Sequence, residues 1–195
     1  CVTIIFDKDY SCKIPTLLQG GDHIDMSMNA EGGVKLNPLH LLSSSAHRIW
    51  LTNWIIMLLN SRSFECKSAD IENIQDALEQ LSTQPKEKWR LMSLASYLSP
   101  RLKEEISQWC GNGTYARFFD NDSDTFNLGS KVCIEMGGLL KEPVVAALFI
   151  EYAFYSIQIR LDGKPTVIYI EEAWFMLAYE RFAAGIDNWL RTLAK

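Results

Sequence analysis

The chain opens on Val2-Thr3-Ile4-Ile5-Phe6, an unbroken run of β-branched and aromatic residues. Such a run predicts a strand buried on both faces. It ends in Asp7-Lys8-Asp9. Between Gly20-Gly21 and Gly32-Gly33, the alternation of Ile24-Asp25-Met26-Ser27-Met28 predicts a short strand, and Asn37-Pro38-Leu39 predicts a turn. The period then changes. Ser43-Ser44-Ser45 offers helix caps ahead of a strongly apolar Ile49 to Leu59. Ser68 can cap a helix whose apolar positions Ile71, Ile74, Leu78 and Leu81 share one face. Leu91, Leu94, Ala95 and Leu98 repeat that pattern. Pro100 breaks it, and Leu102, Ile106 and Trp109 resume it until Gly111-Asn112-Gly113. Residues 43–110 therefore read as an all-helical block.

Strand patterns return afterwards. Val132-Cys133-Ile134-Glu135-Met136 predicts a short strand closed by Gly137-Gly138. Pro143 fits the first turn of a long helix reaching about Arg160. After the turn Asp162-Gly163-Lys164-Pro165 comes a second run of buried-strand type, Thr166-Val167-Ile168-Tyr169-Ile170. It leads into Glu171-Glu172-Ala173-Trp174 and a helical pattern that continues to Lys195. Strands alternating with helices predict a parallel α/β sheet. The expected organisation is a sheet-bearing core over 1–42 and 111–195, with 43–110 inserted. The chain starts at Cys1, directly before a core-type strand and without an initiator Met, and it stops inside a helical pattern. An internal piece of a longer protein is the expectation.

Composition changes this picture little. Of 195 residues, 48% are hydrophobic and 22% charged, ordinary globular values that exclude disorder and collagen-like repeats. The net charge of −5 leaves no domain-wide basic field, so a sequence-independent grip on nucleic acid is not supported. The apolar runs are far shorter than the roughly 20 residues that span a bilayer. The five cysteines, Cys1, Cys12, Cys66, Cys110 and Cys133, are widely spaced with no Cys-x-x-Cys pair, so reduced thiols are expected and a zinc site is not. Trp50, Trp54 and Trp109 fall on helical faces and predict packing.

The clearest candidate chemistry is Val167-Ile168-Tyr169-Ile170-Glu171-Glu172. Two adjacent carboxylates follow a buried-type strand, at the carboxyl end where open α/β sheets bind ligands. In nucleotide hydrolases one such acid holds Mg²⁺ through its water shell, and the next polarises the attacking water. The same two residues also suit the first turn of a helix, where acids favour the positive dipole end. Spacing leaves both readings open. Phe6-Asp7-Lys8-Asp9 is a second acid-bearing strand end. Asp120-Asn121-Asp122-Ser123-Asp124 has the acid spacing of a calcium loop. Thr125 stands where that loop needs Gly, and Lys131 where it needs a bidentate Glu. His23, His40 and His47 lie in separate segments without a nucleophile motif. No Gly-x-x-x-x-Gly-Lys-Ser/Thr phosphate cradle occurs in these 195 residues. In a P-loop fold that cradle precedes the first helix and then the second strand. If Val2–Phe6 is that second strand, the cradle is expected a few tens of residues upstream of Cys1.

The order of segments resembles one family. Phe6-Asp7-Lys8-Asp9, Gly20-Gly21 and Leu36-Asn37-Pro38-Leu39 are similar to the region after the P-loop in conjugal-transfer ATPases of type IV secretion systems, the Vir-B-four, Trb-E and Cag-E type. The similarity continues through Gly113-Thr114-Tyr115-Ala116-Arg117-Phe118-Phe119-Asp120 and Ile134-Glu135-Met136. It closes on Ile170-Glu171-Glu172-Ala173-Trp174, Phe182, Ile186 and Trp189-Leu190-Arg191-Thr192-Leu193. It thus covers essentially the whole chain.

This resemblance implies a RecA-like P-loop NTPase core, cut before its P-loop and carrying an all-helical insertion. It implies ATP and Mg²⁺ as cofactors of the full-length protein. Glu172 would act on the water, Glu171 would hold the metal through water, and Asp7 would lie close by. It further implies a hexamer or similar assembly that works with inner-membrane secretion components, cytoplasmic and peripheral to the bacterial inner membrane. The family usually places Asp where Glu171 stands, and Leu-Arg-Lys where Leu193-Ala194-Lys195 stands. Two other expectations compete: a non-catalytic scaffold module of the secretion apparatus, and a DNA-pumping helicase relative. The basic pore loop of the latter is not seen.

Overall fold

The computed structural model describes residues 1–27, 34–61, 63–161 and 163–171. Its elements run β1 Val2–Asp7, α1 Lys13–Leu18, β2 Asp22–Asp25, α2 Arg48–Leu59, α3 Ser68–Ser82, α4 Leu91–Ala95, α5 Pro100–Ile106, α6 Ala116–Phe119, β3 Lys131–Glu135, α7 Pro143–Gln158 and β4 Thr166–Ile170. Short 3₁₀ turns, the longest at Pro38–Ser43, fill several connections. Contacts divide the chain into two units, 1–34 with 127–195, and 35–126.

The first unit holds a four-stranded sheet of order β2-β3-β1-β4, parallel at every pairing. The three runs read from sequence as strands at 2–6, 132–136 and 167–170 are parallel neighbours, with β1 in the middle. Ile4 faces Val132 on one side and Ile168 on the other. Burial follows this order. Val132, Cys133 and Ile134 are at most 1% exposed, and Ile4 and Phe6 of β1 are similarly enclosed. Phe6 stacks on Phe154 of α7 at 5.5 Å between ring centroids. Helix α7 begins at Pro143, whose missing N–H costs nothing in a first turn. It is apolar nearly all round, and Val145, Leu148, Phe149, Tyr152, Ala153 and Ile157 are all buried, as such a helix requires.

Strand β4 departs from expectation. The sequence reads as buried on both faces, yet Val167 is 39% and Tyr169 58% exposed. The reason is position: β4 pairs only with β1, and nothing among the described residues covers the face that Val167 and Tyr169 share. The predicted strand 24–28 also shifts earlier, to Asp22–Asp25, because the ladder with β3 pairs Asp22 with Val132 and ends with Asp25 opposite Glu135.

The second unit is helical, with no strand among its described residues. Its stripe Ile74, Ala77, Leu78 and Leu81 is wholly buried, as are Leu51, Ile55 and Leu58 of α2. Trp54 meets Phe119 edge-on at 5.1 Å, and Trp109 stacks on Tyr115 at 4.7 Å. Pro100 opens α5 rather than merely ending what precedes it. The expected turn at Asn37-Pro38-Leu39 is the capped start of a 3₁₀ helix, Asn37 Oδ1 accepting the Leu39 amide. Asn37 Nδ2 also donates to the Trp89 carbonyl at 2.8 Å, so this segment belongs to the helical unit, which spans 35–126.

Candidate functional site at the carboxyl edge of the sheet

Every strand of the sheet reaches a carboxylate at its carboxyl end. In sheet order these are Asp25 of β2, Glu135 of β3, Asp7 of β1 and Glu171 just past β4. The register aligns them: Asp25 pairs with Glu135, Asp7 pairs with Glu135, and the Glu171 amide donates to the Phe6 carbonyl at 2.9 Å. Parallel strands that end level present their last side chains along one line, so four acids form a row.

The loop after β1 ties the row together. Asp9 and Tyr10 both adopt left-handed backbone, φ 63° and 62°. For residues with a Cβ this costs roughly 1–2 kcal/mol each, a strain typical of functional loops. The turn sends its amides back onto the acids. The Lys8 amide donates to Glu171 Oε2 at 3.0 Å, the Tyr10 amide to Glu135 Oε2 at 2.8 Å, and the Cys12 amide to Asp7 Oδ2 at 2.9 Å. The Tyr10 hydroxyl donates to Asp25 Oδ2 at 2.9 Å. Ser11 Oγ bonds Asp7 Oδ1 and stands 3.0 Å from Glu171 Oε2.

The four acids differ in what is left over. Asp7 and Glu135 are each 1% exposed. Glu135 has its second oxygen occupied by the Gly137 amide at 2.7 Å. A Cβ at position 137 would stand 2.7 Å from that oxygen, which only glycine avoids. Burial pushes the Asp7 carboxyl up, but the bonds with Ser11, the Cys12 amide, the Glu171 carboxyl and Cys133 together hold it below its ordinary value. Asp25 is likewise lowered, the bonds from Ser27 and Tyr10 outweighing burial. The Tyr10 phenol is raised, chiefly by its bond to Asp25. Beneath Asp7, the Cys133 thiol is pushed up to about 12 by burial and then by the Asp7 charge, so it is no nucleophile at neutral pH. Glu171 alone is exposed, and its carboxyl meets the Lys8 amide, the Ser11 hydroxyl and the Asp7 carboxyl.

Glu171 and Asp7, singled out from sequence, are thus brought together. Glu172 lies outside the described residues. Cys1 is exposed and precedes β1, at the amino end of the sheet and so at the opposite edge from the acids. It takes no part in the row, and a phosphate cradle upstream of Cys1 lies outside the 195 residues. Asp25, Glu135 and Ser11 were missed as site residues: both acids fall inside the runs 24–28 and 132–136 read as strands, and only the observed strands end on them. Among the described residues no cluster of three His, Cys, Asp or Glu side chains is spaced to cage a metal. An exposed carboxylate beside a hydroxyl and a second carboxyl fits a metal held through water, not a directly ligated ion. The calcium-loop spacing has a different use. Asp120 accepts the Met92 and Gly111 amides, Asp122 pairs with Lys35 at 3.1 Å, and Asp124 accepts the Asn37 amide. All five cysteines are free. A cavity of about 230 Å³, lined by Val2, Ile4, Ile157, Arg160 and Lys164, lies at the amino end of the sheet, away from the acids.

A parallel α/β sheet with a row of acids on its carboxyl edge places the candidate site where open α/β sheets bind ligands. No family model matches the chain. A probable conjugal transfer protein TrbE of Sinorhizobium fredii is 30% identical over 97% of this chain and 29% of its own length. The type IV secretion system protein virB4 of Bartonella henselae is 25% identical over 98% of this chain and 25% of its own length. The structure of VirB4 of Thermoanaerobacter pseudethanolicus matches the fold with a TM-score of 0.68, at 18% identity, over 89% of this chain and 75% of that one. The chain is a homologue of the TrbE and VirB4 proteins of conjugal transfer and type IV secretion over nearly its whole length. It spans between a quarter and three tenths of the length of those curated relatives. No helix among the described residues is long and apolar enough to cross a membrane.

Proposed function

We propose that this chain belongs to the ATPase core of a type IV secretion or conjugal-transfer motor, and that the full-length protein hydrolyses ATP with Mg²⁺. The observation that carries this reading is Glu171, an exposed acid at the carboxyl end of a parallel strand, against the buried Asp7. Homology to TrbE and VirB4 supports it.

Glu171 holds the water shell of the nucleotide's metal, and Glu172, next in sequence, orients or deprotonates the attacking water. Bound Mg²⁺ would supply the neutralising charge on the phosphates. The phosphate-cradling lysine and backbone amides, expected upstream of Cys1, are absent from these 195 residues, so the isolated chain binds ATP weakly and does not hydrolyse it. The sheet-bearing unit, 1–34 with 127–195, is the ATPase core, and the helical unit 35–126 is its insertion, wider at both ends than the 43–110 expected from sequence. The motor self-associates, with a hexamer as the expected assembly, and meets inner-membrane secretion components from the cytoplasmic side. Direct nucleic-acid binding is not part of the proposal, since the net charge is −5.

Glu172→Gln in the full-length protein tests the assignment. The amide keeps the size and reach but removes the base. Turnover should fall about 100-fold or more with ATP affinity nearly unchanged. Near-normal turnover would refute the paired-acid role and leave the helix-start reading of Glu171-Glu172.

A further inference from the structure

A glutamate side chain turns about three bonds, so an exposed carboxylate keeps one orientation only where something holds it. The described groups that hold the Glu171 carboxyl are the Lys8 amide, in the backbone directly after β1, the Ser11 hydroxyl, 3.0 Å from Oε2, and the Asp7 carboxyl. Ser11 does not float with it. Its oxygen bonds Asp7, which is 1% exposed and also held by the Cys12 amide at 2.9 Å and the Cys133 thiol at 3.6 Å. The left-handed pair Asp9-Tyr10 folds the chain back so that Ser11, four residues past Asp7, returns to the same strand end. A fixed, buried acid thereby meets the exposed acid both directly and through the Ser11 hydroxyl, which touches the two carboxyls at once.

We propose that Ser11 is a positioning residue: anchored on Asp7, it holds the Glu171 carboxylate in the orientation from which that acid meets the water shell of nucleotide-bound Mg²⁺. This rests on the reading of Glu171 given under Proposed function. Ser11 touches neither nucleotide nor metal in this scheme and acts only through Glu171.

The test is a Mg²⁺ titration of the binding of a fluorescent, non-hydrolysable ATP analogue to the full-length protein. It compares Ser11→Ala, Ser11→Thr, Glu171→Gln and the double variant Ser11→Ala with Glu171→Gln. Ser11→Ala should raise the Mg²⁺ needed for half-maximal binding about threefold to tenfold, the weight of one hydrogen bond. Ser11→Thr, which keeps the hydroxyl, should restore the wild-type value. The double variant should be no worse than Glu171→Gln alone, because a residue that works through Glu171 has nothing left to hold. A Glu171→Gln shift with none in Ser11→Ala overturns the role of Ser11 and leaves the role of Glu171 standing. Additive shifts in the double variant also overturn it, by placing the effect of Ser11 elsewhere. No shift in Glu171→Gln overturns the metal reading of Glu171 and the proposal with it. Should Ser11→Ala fail to fold, the near-isosteric Ser11→Cys, a weak donor, is expected to shift as Ser11→Ala would. A wild-type titration for Ser11→Cys overturns the proposal.

Discussion

Both units of the chain place aspartates where a polypeptide turns, but they use them differently. In the helical unit Asp120 is enclosed and fully spent. One oxygen accepts the Met92 amide at 3.0 Å and the other the Gly111 amide at 2.9 Å, while Arg90 donates to its carbonyl. At the carboxyl edge of the sheet, the acids stand in a row tied by one loop, and the last of them, Glu171, stays exposed. The acid type does not distinguish the two regions. What does is the level ending of parallel strands, which lines up side chains that are far apart in sequence. The segment Gly113-Thr114-Tyr115-Ala116-Arg117-Phe118-Phe119-Asp120, one stretch of the family resemblance, is by this criterion architectural. A Cβ at Gly113 would lie 2.4 Å from the Gln108 backbone, Tyr115 stacks on Trp109, and Asp120 clips two loops.

Three substitutions can break or sharpen that contrast. The largest effect is expected for Asp120→Ala, which leaves two amides without their acceptor. A loss of about 3 kcal/mol in urea denaturation is expected. A loss below about 1 kcal/mol would mean that Asp120 is not structural and that the contrast between the units fails.

Asp7→Asn should cost less, about 2 kcal/mol at neutral pH, since the amide keeps some acceptor capacity. The pH dependence has a definite sign. The carboxyl of Asp7 is lowered in the folded protein, so its contribution is fully present above the unfolded value of about 3.9. It is lost as pH falls through the lower folded value. The stability difference between wild type and Asp7→Asn should therefore shrink only in that acid range. A difference that stays constant to strongly acidic pH would show that the charge of Asp7 contributes nothing.

Asp9→Gly should have the smallest effect and the opposite sign. Glycine takes φ 63° without strain, so the protein should gain about 0.5 kcal/mol, partly offset by the looser unfolded chain. A marked loss would mean that the Asp9 side chain, not its backbone, shapes the loop.

Much of the fold is legible from local pattern. The β-branched runs at 2–6 and 166–170, the helical stripe at 71–81 and Pro143 at a helix start each carry their own short-range physics, and each forms the expected element. Glu171 and Asp7 were legible for the same reason, as acids after strand runs. Glu135 falls inside the run 132–136 read as a strand, and only the observed strand ends on it. Ser11 shows none, because a serine in a polar loop looks like any other until the loop is closed.

Local sequence determined where strands and helices form, that the sheet is parallel, and that acids end its strands, because hydrophobic period and turn chemistry act within a few residues. Only the tertiary structure decided that β3, arriving after the whole helical unit, lies between β2 and β1, and that β4 leaves Val167 and Tyr169 exposed. It alone decided that a strained turn at Asp9-Tyr10 joins Asp7, Ser11 and Glu171. Those outcomes depend on pairing between residues more than a hundred positions apart, and no local pattern encodes which strand is whose neighbour.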